Sequence, residues 1–217
     1  VTYTGDVTTG GAPDVRELTD LTITKVSVGP MDNNAYLLRC RTTGEQLLID
    51  AANDEGRLLE LIGDAGISTV VTTHQHHDHW YALAGVVAAT GAKSIAHAAD
   101  AEPLPVVDVT VHDGETVRVG EISLEVIQIV GHTPGSIALL YRDPSGFPHL
   151  FTGDSLFPGG VGNTQKDPER FASLIDDVEH KLFDQLPDET WFYPGHGSDS
   201  TLGVERPSLP EWRARGW

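Results

Sequence analysis

Seven consecutive residues, Thr73-His74-Gln75-His76-His77-Asp78-His79, constrain this chain more than any other stretch. They place four candidate metal ligands, His74, His76, Asp78 and His79, within six positions. An apolar, β-branched run at residues 67–72 leads in, and a helix-like run at residues 80–90 leads out. The ligands therefore stand at the end of a strand and the start of a helix. On extended backbone, side chains two apart share a face, so His74 and His76 can close on one ion. Asp78 and His79 follow the turn and aim elsewhere, which predicts two neighbouring metal sites rather than one. A lone histidine on a surface turn would carry no such weight, but a cluster of imidazoles and a carboxylate is a natural donor set for zinc or iron.

Along the chain, residues 1–21 are polar and read as an arm or peripheral strand. Imperfect alternation at residues 21–28, a turn at 29–34, and apolar runs at 35–40 and 46–49 predict three strands. Asp50 ends the last of these, placed either to orient a ligand histidine or to cap the next helix. Residues 54–64 carry Leu58, Leu59, Leu61 and Ile62 at helical spacing, and a second helix over 80–90 stops near Gly91. Residues 92–96 read as another strand. Strand candidates then crowd together at 106–109, 115–119, 122–130, 136–142 and 149–152, predicting a second, largely antiparallel sheet. Helical spacing returns over 168–183, followed by a short strand at 190–193. The pattern predicts an α/β fold, a layered sandwich with helices outside two sheets.

Length and composition narrow the function. The 217 residues suit one domain, 1–217, with 1–21 as a peripheral arm and 199–217 as a short tail packed on the body. A formal charge of -18 argues against nucleic acid and against an anionic membrane surface as partners. The single cysteine, Cys40, excludes an internal disulfide and a thiolate zinc site, and reads as a small buried hydrophobe. Neither a basic-plus-apolar leader nor an apolar run of transmembrane length is present, so the simplest expectation is a cytoplasmic protein acting on a small molecule. Oligomeric state is not readable; a homodimer is one way to bury the tail tryptophans Trp212 and Trp217.

Three later positions repeat one context: an apolar run, then glycine beside His or Asp. They are Gly131-His132-Thr133-Pro134-Gly135, Gly153-Asp154-Ser155 and Pro194-Gly195-His196-Gly197. Glycine permits close backbone approach at such turns. With the first cluster they bring the candidate ligands to seven, enough for two ions. The His-x-His-x-Asp-His signature at 74–79, with these three motifs in the same order, resembles the metallo-β-lactamase-like hydrolase superfamily over residues 21–198. Within it the chain looks most similar to the glyoxalase II, or hydroxyacylglutathione hydrolase-like, branch.

The resemblance implies an αββα four-layer sandwich with metals at one edge. It implies His74, His76 and His132 on the first metal, Asp78, His79 and His196 on the second, and Asp154 bridging them. Two divalent ions follow, zinc first, with iron or manganese also suited to nitrogen and oxygen donors. The implied chemistry is attack of a metal-bridged hydroxide on a carbonyl, with Asp78 orienting the nucleophile. A thioester is the expected substrate; a lactone, a β-lactam (ranked low, since Asp154 stands where such enzymes often use cysteine) and iron-dependent persulfide oxygenation are alternatives. A non-catalytic metal-binding protein is the remaining one. Glyoxalase II enzymes grip glutathione with an added C-terminal helical region, whereas 21 residues follow His196 here, so a different thiol carrier is an open expectation. Met31, Phe157 and Asn163 are the candidate pocket residues. His77, at a variable position of the signature, is expected to face away, and His97, His112, His149 and His180 to be structural or exposed. Core packing is expected for Trp80 and Tyr81.

Overall fold

A computed structural model describes residues 2–144 and 146–216. The first sheet has seven strands in sequential order: β1 (Asp14–Glu17), β2 (Leu21–Val28), β3 (Asn33–Cys40), β4 (Gln46–Ile49), β5 (Thr69–Thr72), β6 (Lys93–His97) and β7 (Val109–Val111). β1 to β4 pair antiparallel, and β4 to β7 pair parallel. Crossovers α1 (Glu55–Ile62) and α2 (Leu83–Thr90) link the parallel strands β4, β5 and β6. The second sheet contains β8 (Thr116–Val119), β9 (Ile122–Gln128), β10 (Ile137–Arg142) and β11 (Pro148–Gly153), each antiparallel to the last. A two-residue-strand hairpin, β12 (Leu156–Phe157) with β13 (Gly160–Val161), precedes α3 (Pro168–Asp177). β14 (Trp191–Pro194) then joins the sheet parallel to β11, and β15 (Ser200–Thr201) closes its edge. Short helices α4 (Leu202–Glu205) and α5 (Leu209–Arg215) follow.

The four layers follow from the side-chain period of a strand. On β2 to β4, Leu21, Ile23, Tyr36, Leu38, Leu47 and Ile49 face the second sheet. Val26, Ala35, Leu37 and Leu48 alternate with them and meet α1 and α2 through Leu58, Ile62, Leu83 and Val86. The second sheet does the same: Leu139, Phe151 and Tyr193 turn inward, while Leu140, Leu150 and Phe192 pack on Leu174, Leu182 and Trp212. Strands buried on both faces read as continuous apolar runs, and each fully buried Leu or Ile contributes about 1.5–3 kcal/mol. The αββα sandwich is thus the observed fold.

Four details differ from the sequence reading. The strand expected at 106–109 lies at Val109–Val111 and belongs to the first sheet, parallel to β6. Ser94 on β6 fixes the approach: its hydroxyl donates to the Val106 carbonyl and its N–H to Asp108. Residues 178–183 continue α3 as a π-helical turn instead of an α-helix. Trp212 is buried against Phe183 within its own chain and needs no second copy to cover it; Trp217 lies outside the described residues. Tyr81, expected in the core, is 62% exposed and packs against His77. Elsewhere the arm supplies edge strand β1, Cys40 is free and buried, and no helix among the described residues is long and apolar enough to cross a membrane.

His149, on β11, yields a pH prediction. Arg16 donates to the Tyr193 hydroxyl at 3.3 Å, leaving the hydroxyl proton for His149 Nδ1 at 2.8 Å. Burial, reinforced by the charge of Arg16, pushes the His149 pKa from 6.5 down to about 4. Between these values the unfolded chain binds a proton that the folded chain refuses. Stability therefore falls as pH drops through that window, by roughly 3 kcal/mol below its lower end. Urea unfolding of the parent and of His149→Gln across the window checks this: the variant's curve should be flatter.

Candidate metal centre

The site lies along the edge where the two sheets are stitched together. Ile137 N–H donates to Thr73 O at 2.9 Å and Asn34 N–H to Gly195 O at 2.7 Å across the sheets, and Gly195 N–H donates to Gly153 O at 2.8 Å within the second. Four strand ends converge there. β5 delivers His74 and His76, and a 3-10 turn, His77–His79, follows. The segment after β9 carries His132, the end of β11 carries Asp154, and the end of β14 carries His196.

All seven residues singled out as ligands meet here. Their donor atoms form three groups, each with mutual separations within 4.8 Å: His74, His76 and His132; His74, His79 and Asp154; and Asp78, His79 and His196. Asp154 spans the others. Its Oδ1 lies 3.4 Å from His79 Nε2, and its Oδ2 lies 3.7 Å from His132 Nε2 and 3.5 Å from His196 Nε2. Gly195 makes that approach possible, because a Cβ there would stand 2.2 Å from Asp154 Oδ1 and 2.6 Å from the His79 ring.

The surroundings of each imidazole set its direction. His79 Nδ1 donates to Asp50 at 2.8 Å, His132 Nδ1 to the Asn163 carbonyl at 2.8 Å, and His196 Nδ1 to the Met31 carbonyl at 3.0 Å. Thr73 Oγ1 donates to Asp50 and so accepts from His74 Nδ1 at 3.1 Å. A neutral ring that donates at Nδ1 presents a bare lone pair at Nε2. Those lone pairs face one another: His79 and His196 at 3.2 Å, His74 and His132 at 3.3 Å. Asp154 Oδ1 is buried with no hydrogen-bond partner among the described residues. Opposed lone pairs and an orphaned carboxylate oxygen fit divalent cations between them.

The electrostatics divide the rings. Burial, with neighbouring imidazoles adding, drives the His74 pKa well down. Burial opposes charge on His79 too, but Asp154 and Asp50 outweigh it and raise its pKa well above the ordinary value. The His196 ring 3.3 Å away, then the hydrogen bond from Asn33, holds Asp78 far below the usual carboxylate range. Protons are thus disfavoured on His74, His76 and His132, while the carboxylates favour them on His79 and His196.

The structure places the remaining candidates less directly. Met31 and Asn163 act through backbone carbonyls, and their side chains are exposed. The half-buried Phe157 ring stands 6.5 Å from the His196 ring. His77 is exposed, with its ring against Trp80 and Tyr81. His97 and His149 are buried, while His112 and His180 are exposed. Asp50 takes the orienting role, since Asp54 caps α1 instead. Asp50 holds φ 59°, uncommon for a residue with a side chain, and its carboxylate accepts from Thr73 N–H, Thr73 Oγ1 and His79. Sequence reading missed Asn33, whose Nδ2 donates to Asp78 at 2.8 Å; its position beside an Asn-rich turn was the available signal. It also missed Asp100, buried, which accepts from Gln75 N–H, Thr133 Oγ1 and Gly135 N–H.

Fold and donor set together define a two-sheet α/β protein with a multinuclear metal site at the sheet edge. A family model described as the metallo-beta-lactamase superfamily matches residues 28–196, and the chain belongs to that superfamily. It is similar to the hydroxyacylglutathione hydrolase of Polaromonas sp. (strain JS666 / ATCC BAA-500), at 39% identity over 166 residues, covering 76% of this chain. The chain spans 62% of the length of that relative. Among solved structures it is similar to ETHE1 from Myxococcus xanthus, with a TM-score of 0.77 and 28% identity, covering 88% of this chain and 84% of that one. A di-iron-bound form of TTHA1623 gives a TM-score of 0.72 at 29% identity, covering 86% and 98%.

Proposed function

We propose that the chain is a metal-dependent hydrolase that cleaves a thioester of a small thiol carrier in the cytoplasm. The supporting observation is the arrangement of six nitrogen and oxygen donor residues around Asp154, joined by the similarity to relatives named hydroxyacylglutathione hydrolase. His74, His76 and His132 would hold one cation, Asp78, His79 and His196 the other, with Asp154 shared. Zinc suits this donor set best, and iron or manganese also fit. When bound, such ions supply Lewis acidity, activating water and polarising a carbonyl.

The chain's own residues do the rest. Asp78, fixed by Asn33 and kept ionised, orients the attacking water. A thiol, with a pKa of about 8.5, leaves as its anion without a proton donor, which suits a site of ionised carboxylates. A cavity of about 370 Å³ lined by Val161, Gly162, Asn163, Thr164 and Lys166 runs from the carbonyl that holds His132. The Thr164 hydroxyl there is buried and has no partner among the described residues. The cavity offers an elongated carrier, in Lys166, one cation to meet a carboxylate. Phe157 and Met31 would flank the acyl end.

The test is a panel assay on protein of measured metal content: acyl-glutathione, acyl-coenzyme A and small acyl thiols, beside lactones and β-lactams, with oxygen uptake on a thiol persulfide. Turnover of one thioester class well above the other arms is expected. Full metal loading with no thioester turnover would sink the proposal.

A further inference from the structure

The most deeply buried ion pair among the described residues lies beside the centre and takes no part in it directly. Lys25 sits on β2 in register with Leu21 and Ile23, so its side chain enters the space between the sheets, and it is 0% exposed. Its Nζ donates to Asp199 Oδ1 at 2.7 Å, to the Gly197 carbonyl at 2.8 Å and to the Gly5 carbonyl at 2.6 Å. Asp199 Oδ2 accepts from the Tyr3 hydroxyl at 2.7 Å and from Trp191 Nε1 at 3.0 Å. Ser198 reaches Asp6 at 3.1 Å. The arm lies as close as backbone allows: a Cβ on Gly5 would stand 2.5 Å from Asp199 Oδ2.

One acceptor explains why this cluster matters. Gly197 follows His196 directly, and its carbonyl takes both Lys25 and Asn34 Nδ2, the latter at 2.9 Å. The loop that presents His196 is therefore held from β2, β3 and the arm at once. A buried ion pair is a poor stabiliser, because desolvating two charges offsets their attraction. An ammonium with three directed acceptors on two chain segments, the arm and the loop after His196, is, by contrast, a specific way to fix a loop. His74, His76 and His132 have no bond to this cluster in the contacts described above.

We propose that the Lys25–Asp199 pair, with Tyr3 of the arm, is a positioning device for His196 that sets the affinity of the Asp78, His79 and His196 group independently of the His74, His76 and His132 group. The proposal rests on the dinuclear reading of the centre. Outer partners of metal ligands typically change affinity by about 10–100-fold when removed, and this cluster acts on one ligand's loop alone.

The test is stepwise Co(II) titration, read by absorbance and by competition with a chromophoric chelator. The metal-depleted parent, Lys25→Met and Tyr3→Phe are compared, each alone and in a His196→Ala background. Lys25→Met keeps length without charge, and Tyr3→Phe keeps the ring and the ion pair. The parent should bind two ions. Lys25→Met should weaken one constant by at least about tenfold and leave the other within about twofold, with Tyr3→Phe moving the same constant less. In the His196→Ala background neither substitution should change the remaining constant, as a double-mutant cycle requires. Equal weakening of both constants, or no change in either with the fold intact, overturns the proposal. If Lys25→Met does not fold, Tyr3→Phe decides on the same criteria. A parent that binds fewer than two ions overturns the dinuclear reading and this proposal with it; two ions in the parent with unmoved constants in the variants overturn this proposal alone.

Discussion

Replacing Asp154 with Asn is expected to lower metal content and to cut turnover by about 10²–10³-fold, the size seen when a charge-stabilising group leaves a water-excluded site. One carboxylate oxygen faces His79 and the other faces both His132 and His196, so Asp154 is the carboxylate that touches both groups of ligands. Burial resists its ionisation, but His79 and His196 hold its pKa below the ordinary value. Asn keeps the shape and removes the charge, so the loss isolates the bridging role from packing. Elemental analysis with kinetics on the same preparation is the measurement. Two retained ions and turnover within about tenfold of the parent would refute the shared-ligand assignment.

The second large effect is on stability. Asp100→Ala is expected to cost about 3–5 kcal/mol in urea unfolding. Asp100 is 1% exposed and accepts two backbone N–H groups, Gln75 at 2.9 Å and Gly135 at 2.7 Å, besides the Thr133 hydroxyl. Deleting the carboxylate strands those two donors in the interior, at about 1–3 kcal/mol each. The three partners belong to the motifs that carry His74, His76 and His132. Affinity at that group should therefore fall alongside stability. A cost under about 1 kcal/mol would mean that water or neighbours take over the two N–H groups.

How much of this was legible depends on how local the signal was. The four ligands between His74 and His79 declare themselves, because a strand end followed by a tight turn needs only neighbours in sequence. His132, Asp154 and His196 were legible as a repeated context, an apolar run and then glycine, since buried strands in α/β layers look alike and end at the same edge. The layers were legible too, for the same reason that β2 alternates Leu21 and Ile23 with Val26 and Val28. What was hidden depends on closure between distant segments. Lys25 interrupts an apolar strand and reads as an irregularity until Asp199, far along the chain, arrives beside it. Asp100 follows β6 in an alanine-rich stretch with nothing local to mark it. The run at residues 106–109 was apolar enough to be seen, but which sheet it joins is decided by Ser94 on β6, not by its own pattern.

The parallel pairing of β11 with β14 sets an order on the birth of the site. A parallel pair cannot close through a hairpin and has to wait for the whole crossover between them, here α3 and its π-helical turn. Pairings of such sequence separation are late and slow, since loop closure costs entropy before contacts repay it. His196 rides on β14. The centre therefore completes only when the last long-range strand has docked, and a full set of donors is itself a report that folding has finished.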